Sequence, residues 1–382
     1  MRNRRAILAV LTAAACVAAA TVTACSLLED YDGLEGSGND AAVTPDTTPP
    51  LVDAAVEAAP IDPCLGDGVP PSFDGGTQAT DAAADLPALV SAVTAVQFVG
   101  TKGNAGLAAA GRNIDFTCGF SCLSSAATPP KDPPATGVDN AAFELFSALR
   151  AVGIPLDDQG FDEGIKRGLW TFVFRLSRWS GEPNDSDVQL DAFNGTSLDN
   201  AGSDAGAQFD GTDVWATDSA SSSAGVPLFR SMVGYVRNGV LVARFARLIP
   251  KLRFYANGFV LLTDVEMYSV SVVANITRDG AGYKLTDAKV AGVTTPEQIL
   301  AQLQRAGTCG SDPIFATVQD YVCENRDLPG TLGAPATAKC EAISIGLRFE
   351  ARAAKLSSKV DTITDTVYCD GGIDPTKGCG TR

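Results

Sequence analysis

Histidine is absent from the 382 residues of this chain. That excludes Ser-His-Asp and Cys-His nucleophile systems, histidine zinc sites and imidazole acid–base catalysis. Basic residues are also scarce, 29 Lys and Arg against 45 Asp and Glu, for a net charge of -16. Phosphate binding needs a basic face, so a nucleic-acid partner is not expected. The same acidity repels anionic headgroups, which makes covalent attachment the expected route to a membrane. Catalytic signatures are missing too. There is no Ser-x-x-Lys and no Asp-Thr-Gly, phosphate loop or dinucleotide fingerprint, and Asp210-Gly211-Thr212 has the protease order wrong.

What is present begins with an address. Arg2, Arg4 and Arg5 precede an apolar run over residues 6–22, which ends in Val22-Thr23-Ala24-Cys25. A basic start, a short apolar stretch and small residues before the break read as a secretory signal, residues 1–24. The apolar-small-small-Cys ending resembles the lipobox of bacterial lipoproteins. The resemblance implies that Cys25 carries diacylglycerol and an acylated (palmitate-type) amino group. Three buried chains at about 0.8 kcal/mol per methylene anchor firmly where one does not. Ser26 stands where an Asp would signal inner-membrane retention, so the outer membrane is the expected address.

From Cys25 to Thr101 there are 13 acidic residues and no Lys or Arg, in a background of Ala, Asp, Pro, Thr and Gly. Such a composition cannot bury enough apolar surface to offset chain entropy, which makes residues 25–84 an expected disordered tether. At some 60 residues its r.m.s. reach is about 40–45 Å.

Cleavage of Cys16 and lipidation of Cys25 leave Cys64, Cys118, Cys122, Cys309, Cys323, Cys340, Cys369 and Cys379. An even number in an exported chain predicts up to four disulfides. Cys64 lies inside the tether, and its bridge would pin part of that segment to the folded body.

Residues 85–382 read as one β-rich domain. Residues 85–99 are apolar without a decisive period, helix or strand. Residues 139–152 carry a helical stripe, with Asp139 as the expected N-cap and Gly153 as the stop. Trp170, Phe172, Phe174 and Leu176 then alternate with Thr171, Val173, Arg175 and Ser177, a half-buried strand. Asn238-Gly239, Asn257-Gly258 and Asp279-Gly280 each divide runs of β-branched and aromatic residues, as tight hairpin turns do. Three in succession predict an antiparallel meander, hence a mainly β fold, a β-sandwich or jelly roll with a few peripheral helices, braced by disulfides. Residues 196–225, rich in Ser, Asp, Gly and Ala, read as a long mobile loop. Thr295-Pro296-Glu297-Gln298 is a capping box opening a helix, residues 311–322 predict another, and residues 342–353 a last strand. No internal repeat is present.

Candidate site residues are few. Asp185, Asp187 and Asp191 follow Trp179 closely, and clustered acids on loops suit calcium, a hard cation that takes oxygen ligands. The glycine and closing Glu of an EF-hand are missing. Trp179 and Trp215 at a sandwich rim could stack on a sugar face or cap the core. Asp264 and Glu266 share one strand face, about 7 Å apart, a spacing glycosidases use, although alternating acids are usually solvated surface. Residues 137–140, Gly168 and residues 184–188 resemble uncharacterised tethered envelope lipoproteins of bacteria, which carry no assigned activity. The sequence therefore points to a non-catalytic, lipid-anchored ligand-binding module, with a glycan as a candidate ligand. A structural lipoprotein contacting other envelope proteins and a histidine-free carboxylate hydrolase are the other readings.

Overall fold

A computed structural model describes residues 86–97, 138–151, 158–199, 206–223, 225–256, 259–305 and 307–363, with Pro70, Gly111, Arg112, Ile114, Cys122, Leu123, Cys369, Gly378 and Cys379. The signal segment, Cys25, Cys64, Cys118 and all of the tether but Pro70 lie outside the described residues.

The ambiguous apolar run is a strand, β1 (Leu89–Gln97), followed by helices α1 (Ala141–Ala151) and α2 (Asp158–Lys166). The alternating segment is β2 (Thr171–Ser177), and β3 (Gln189–Leu198), β4 (Val214–Asp218), β5 (Ser222–Ser223), β6 (Val226–Pro227) and β7 (Phe229–Arg230) follow. The expected meander is interrupted: β8 (Val233–Arg237), β9 (Val240–Leu248), β12 (Met267–Asp279) and β13 (Gly282–Thr294) share the main sheet with β9 beside β12, while β10 (Lys251–Ala256) and β11 (Phe259–Asp264) form a separate two-stranded sheet. Helices α3 (Pro296–Arg305) and α4 (Pro313–Glu324), then β14 (Leu328–Pro329), β15 (Cys340–Ala353) and β16 (Lys355–Asp361), complete the fold.

The main sheet runs β16-β4-β3-β2-β1-β15-β13-β12-β9-β8. Every neighbour pair along it is antiparallel except β16 with β4, which makes the sheet mixed. It curls into a half-barrel. The curl brings β8 to the stretch leading into β3: the Asp185 and Val236 amides donate to each other's carbonyls at 2.8 and 2.7 Å, and Val188 N–H donates to Gly234 O at 3.1 Å. Gly234 is required there, because a Cβ would stand 2.3 Å from the Val188 carbonyl oxygen.

Alternation decides what fills the curl. Trp170, Phe172, Phe174 and Leu176 face inward with Tyr283, Leu285, Ile345, Leu347 and Phe349 as one apolar core. Phe174 stacks on Phe349 with centroids 5.3 Å apart, and the Tyr283 hydroxyl donates to Phe174 O at 3.1 Å. The opposite face of β2 is covered as well, since Val173 packs with Ala92, Phe193 and Trp215 in a second cluster. Helix α2 joins the core through Phe161 and Ile165, with Phe161 edge-on to Trp170. Its Asp162 accepts the Val96 N–H at 3.0 Å, close to the bulge in β1, while Thr171 Oγ1 donates to Val93 O at 2.6 Å.

The Asn238-Gly239 turn lies between β8 and β9, both residues at positive φ (53° and 76°). Strands β10 and β11 pair as expected, although Asn257 and Gly258 lie outside the described residues. The third hairpin turns one residue later than read, pairing Asp279 with Gly282. The capping box of α3 is reciprocal: Gln298 N–H donates to Thr295 Oγ1 at 3.3 Å, and Thr295 N–H to Gln298 Oε1 at 3.1 Å.

Two expectations need correction. Residues 196–225 are not one loop: β3 extends to Leu198, and β4 and β5 fall inside the segment. Trp215 is fully buried, and the polar residues around it satisfy their own backbone, as when the Asp213 carboxylate accepts the Gln208 and Phe209 amides. Asp139 does not cap α1, which starts at Ala141. It accepts the Ile114 N–H instead, and the Ala141 N–H goes to Ser344 Oγ at 2.8 Å.

Three disulfides lie among the described residues: Cys122–Cys340, Cys309–Cys369 and Cys323–Cys379. Among those residues no helix is long and apolar enough to cross a membrane.

Candidate functional site

Residues from five stretches of the chain surround a groove of about 560 Å³, a volume typical of small-molecule sites. Its apolar lining comes from Val293, Ala342 and Leu332, which belong to a third core cluster with Ile114, Ala291 and Leu328. Its polar lining comes from Tyr268, Thr295, Glu297, Arg326, Thr331 and Glu341.

Each wall is fixed for a local reason. Tyr268 sits where the β12–β13 register shifts, with the next residue, Ser269, at a positive φ of 50°. Such an irregularity re-aims a strand side chain. The Tyr268 hydroxyl donates to Glu266 Oε1 at 2.7 Å and accepts from Gln298 Nε2 at 3.1 Å, while the residue as a whole stays 38 % exposed. Its pKa is pushed up, first by the hydrogen bond to the Glu266 carboxylate and then by burial. Glu297 is set by the cap of α3, where a carboxylate in the first turn complements the helix dipole.

The opposite wall is a strap, residues 326–332, laid along β15. Leu328 pairs with Ala342 and Pro329 with Cys340. Buried Asp327 accepts the Ser344 N–H at 2.8 Å and the Ser344 hydroxyl, while Arg326 Nε donates to Cys323 O at 2.7 Å. Disulfides hold both sides, Cys340 to Cys122 and Cys323 to Cys379, and Cys379 lines the groove itself. Glu297 and Glu341 are exposed and have no ion-pair partner among the described residues. The groove thus offers two open carboxylates, hydroxyls, one guanidinium and an aromatic face over an apolar floor. Carboxylates accept hydrogen bonds from vicinal hydroxyls, and an aromatic face takes C–H groups.

The residues singled out by sequence lie elsewhere. Trp179 is buried, with Nε1 donating to Glu182 O at 3.0 Å, its ring edge-on to Tyr283, and the Arg278 guanidinium 4.9 Å over its face. Trp215 is buried in the second cluster. Neither indole presents a face to solvent.

The three candidate calcium ligands part company. Asp185 accepts from Ser180 N–H and Oγ, both at 2.9 Å; Asp187 pairs with Arg178 at 2.9 Å. Asp191, buried, takes Arg175 at 2.8 Å and Arg230 at 2.9 Å. Among the described residues no group of three Cys, Asp or Glu is placed to hold a metal ion. Asp264 pairs with Arg305 and Glu266 with Arg247, so these carboxylates also have separate cationic partners. Among the cysteines, six of the eight candidates pair within the described residues.

Tyr268, Glu297, Arg326 and Glu341 carry no local motif for binding, and the groove arises only when strap, helix cap and bulge meet. Comparison of the chain with protein-family models, with curated proteins and with solved structures finds no match.

Proposed function

We propose that this protein is a lipid-anchored module of the bacterial outer membrane that binds a glycan in the groove without acting on it chemically. The observation that carries the reading is the groove's composition: the exposed Tyr268, with Glu297 and Glu341, which have no ion-pair partner among the described residues, over an apolar floor. Carboxylates with an aromatic platform suit a ligand that offers paired hydroxyls and a C–H face. The lipobox ending at Cys25 supplies the anchor, and the composition of residues 25–84 supports a tether. In this reading the curled sheet does the work of a sandwich or jelly roll, with strand walls facing each other across one core.

The test is a glycan array probed with the mature chain in which Cys25 is replaced by Ser, next to its Glu341→Gln variant. Retention of a defined glycan class by the parent, and its loss in the variant, is the expected result. An array on which the two give the same pattern would set the groove aside as the site.

A further inference from the structure

Two glutamates set the charge of the groove. Glu297 and Glu341 are exposed on its lining, and neither carboxylate has an ion-pair or hydrogen-bond partner among the described residues. Among those residues Arg326 is the single cation on the lining, and its Nε donates to Cys323 O at 2.7 Å. The lining is therefore net negative. The Tyr268 hydroxyl already donates to Glu266 and accepts from Gln298. Carboxylate oxygen, which accepts hydrogen bonds and has no proton to give, dominates what the groove leaves open.

Each carboxylate is also seated against bare backbone. A Cβ added at Gly330, on the strap, would stand 2.7 Å from Glu341 Oε2, and one added at Gly378 would collide with Glu297 Oε1. Both seats are braced. Gly378 precedes Cys379 of the Cys323–Cys379 bridge, and its carbonyl accepts Gln319 Nε2 at 2.8 Å. Glu341 itself follows Cys340 of the Cys122–Cys340 bridge. A backbone fixed in this way lowers the ordering cost that a ligand must meet.

We infer that the groove selects a glycan bearing free amino groups, an amino sugar without its acetyl cap, whose ammonium groups are taken by Glu297 and Glu341. The inference rests on the glycan reading of the same groove and adds the charge of the ligand. A neutral sugar laid over these carboxylates strips water from two anions and returns only hydroxyls. An ammonium returns several donors together with the compensating charge, and hydrogen bonds between ions are about twice as strong as neutral ones. The field of the whole molecule acts in the same direction, since a chain of net charge -16 attracts cationic ligands and repels acidic ones.

The test is calorimetric titration of chitosan oligosaccharides, and of fully N-acetylated oligosaccharides of the same length, into the mature Cys25→Ser chain. The deacetylated ligand should bind about tenfold more tightly or better, and the difference should shrink as salt rises. Glu297→Gln and Glu341→Gln should each reduce that preference, and the double variant should abolish it while keeping the parent's melting curve. Gly378→Ala tests the seat. Gly378 has no positive φ, and a Cβ there meets first the Glu297 side chain, which can swing away. This variant should lose preference as Glu297→Gln does, with melting and affinity for the N-acetylated ligand unchanged. Equal affinity of the parent for the two ligands, or a preference that survives the double variant, would overturn the inference and leave the glycan reading standing. So would an array that retains only glycans without an amine. A blank array with no response to either oligosaccharide defeats the glycan reading and this inference with it, and an oligolysine peptide that binds in their place would make the groove a peptide site.

Discussion

Asp162 shows how one side chain couples the fold to pH. Burial raises its pKa above the ordinary 3.8, against the opposing effects of the Val96 N–H and the Lys166 charge. A raised folded-state pKa means the folded protein binds the proton more tightly than the unfolded chain. The stabilising contribution is therefore complete below pH 3.8 and is lost as pH rises through the folded value. Asp162→Asn keeps an acceptor for Val96 and cannot ionise. Urea midpoints of variant and parent should converge at low pH, with the variant ahead at neutral pH; a variant that is weaker at neutral pH would show that the carboxylate charge is needed. Asp185, Asp187 and Asp191 illustrate the opposite case, acids already supplied with donors. Calcium would have to displace Ser180, Arg178, Arg175 and Arg230 from them. Melting curves in calcium and in chelator should superimpose. A ligand at a hundredfold excess over its Kd adds about 2.7 kcal/mol, a few degrees in a domain of this size. A rise of that order, lost in Asp187→Ala, would restore the calcium site.

Elements were legible where the signal is local. Asn238-Gly239 marks its hairpin because type I′ geometry needs two positive φ angles, and Thr295 with Gln298 marks α3 because both partners of the cap lie within one turn. What escaped the sequence depends on distant partners. Strand β4 pairs with β3 on one side and in parallel with β16 on the other, so Val214 meets Lys355 from far along the chain, and a strand inside a Ser/Asp-rich stretch depends on partners that lie outside it. The groove is the same case at the level of a site, since Tyr268, Glu297, Arg326 and Glu341 come from four separate stretches. The closure of the curl at Gly234 is likewise invisible without Val188. Its energetic weight can be measured against a turn glycine. Gly234→Ala forces a Cβ against a backbone carbonyl, at a cost of roughly 1–3 kcal/mol. Gly239→Ala meets nothing within 4 Å and suffers only its positive φ, roughly 1 kcal/mol. Chemical denaturation should rank Gly234→Ala as the more damaging; the reverse order would mean that the seam at Val188 relaxes freely.

At the scale of the whole molecule, a packed half-barrel carries its candidate site on the outside, where the strap, the α3 cap and two disulfides converge. Inside the curl, the cavity beside Phe174 and Phe349 is only about 20 Å³, too small for a ligand. On the proposed reading the half-barrel is the scaffold and the strap forms a wall of the binding groove. Removing the Cys323–Cys379 bridge, with both residues changed to Ser, should therefore weaken ligand binding by more than it disturbs the barrel. Near-ultraviolet circular dichroism beside a binding curve would detect this, and a collapsed aromatic signal would show the bridge to be needed by the core. The most direct measurement is calorimetric titration of the glycan retained on the array into the Cys25→Ser chain, its Tyr268→Ala variant and its Trp179→Phe variant. Loss of the platform in Tyr268→Ala should cost at least tenfold in Kd, about 1.4 kcal/mol, with Trp179→Phe close to the parent. Unchanged affinity in Tyr268→Ala, or a loss confined to Trp179→Phe, would contradict the assignment of the groove.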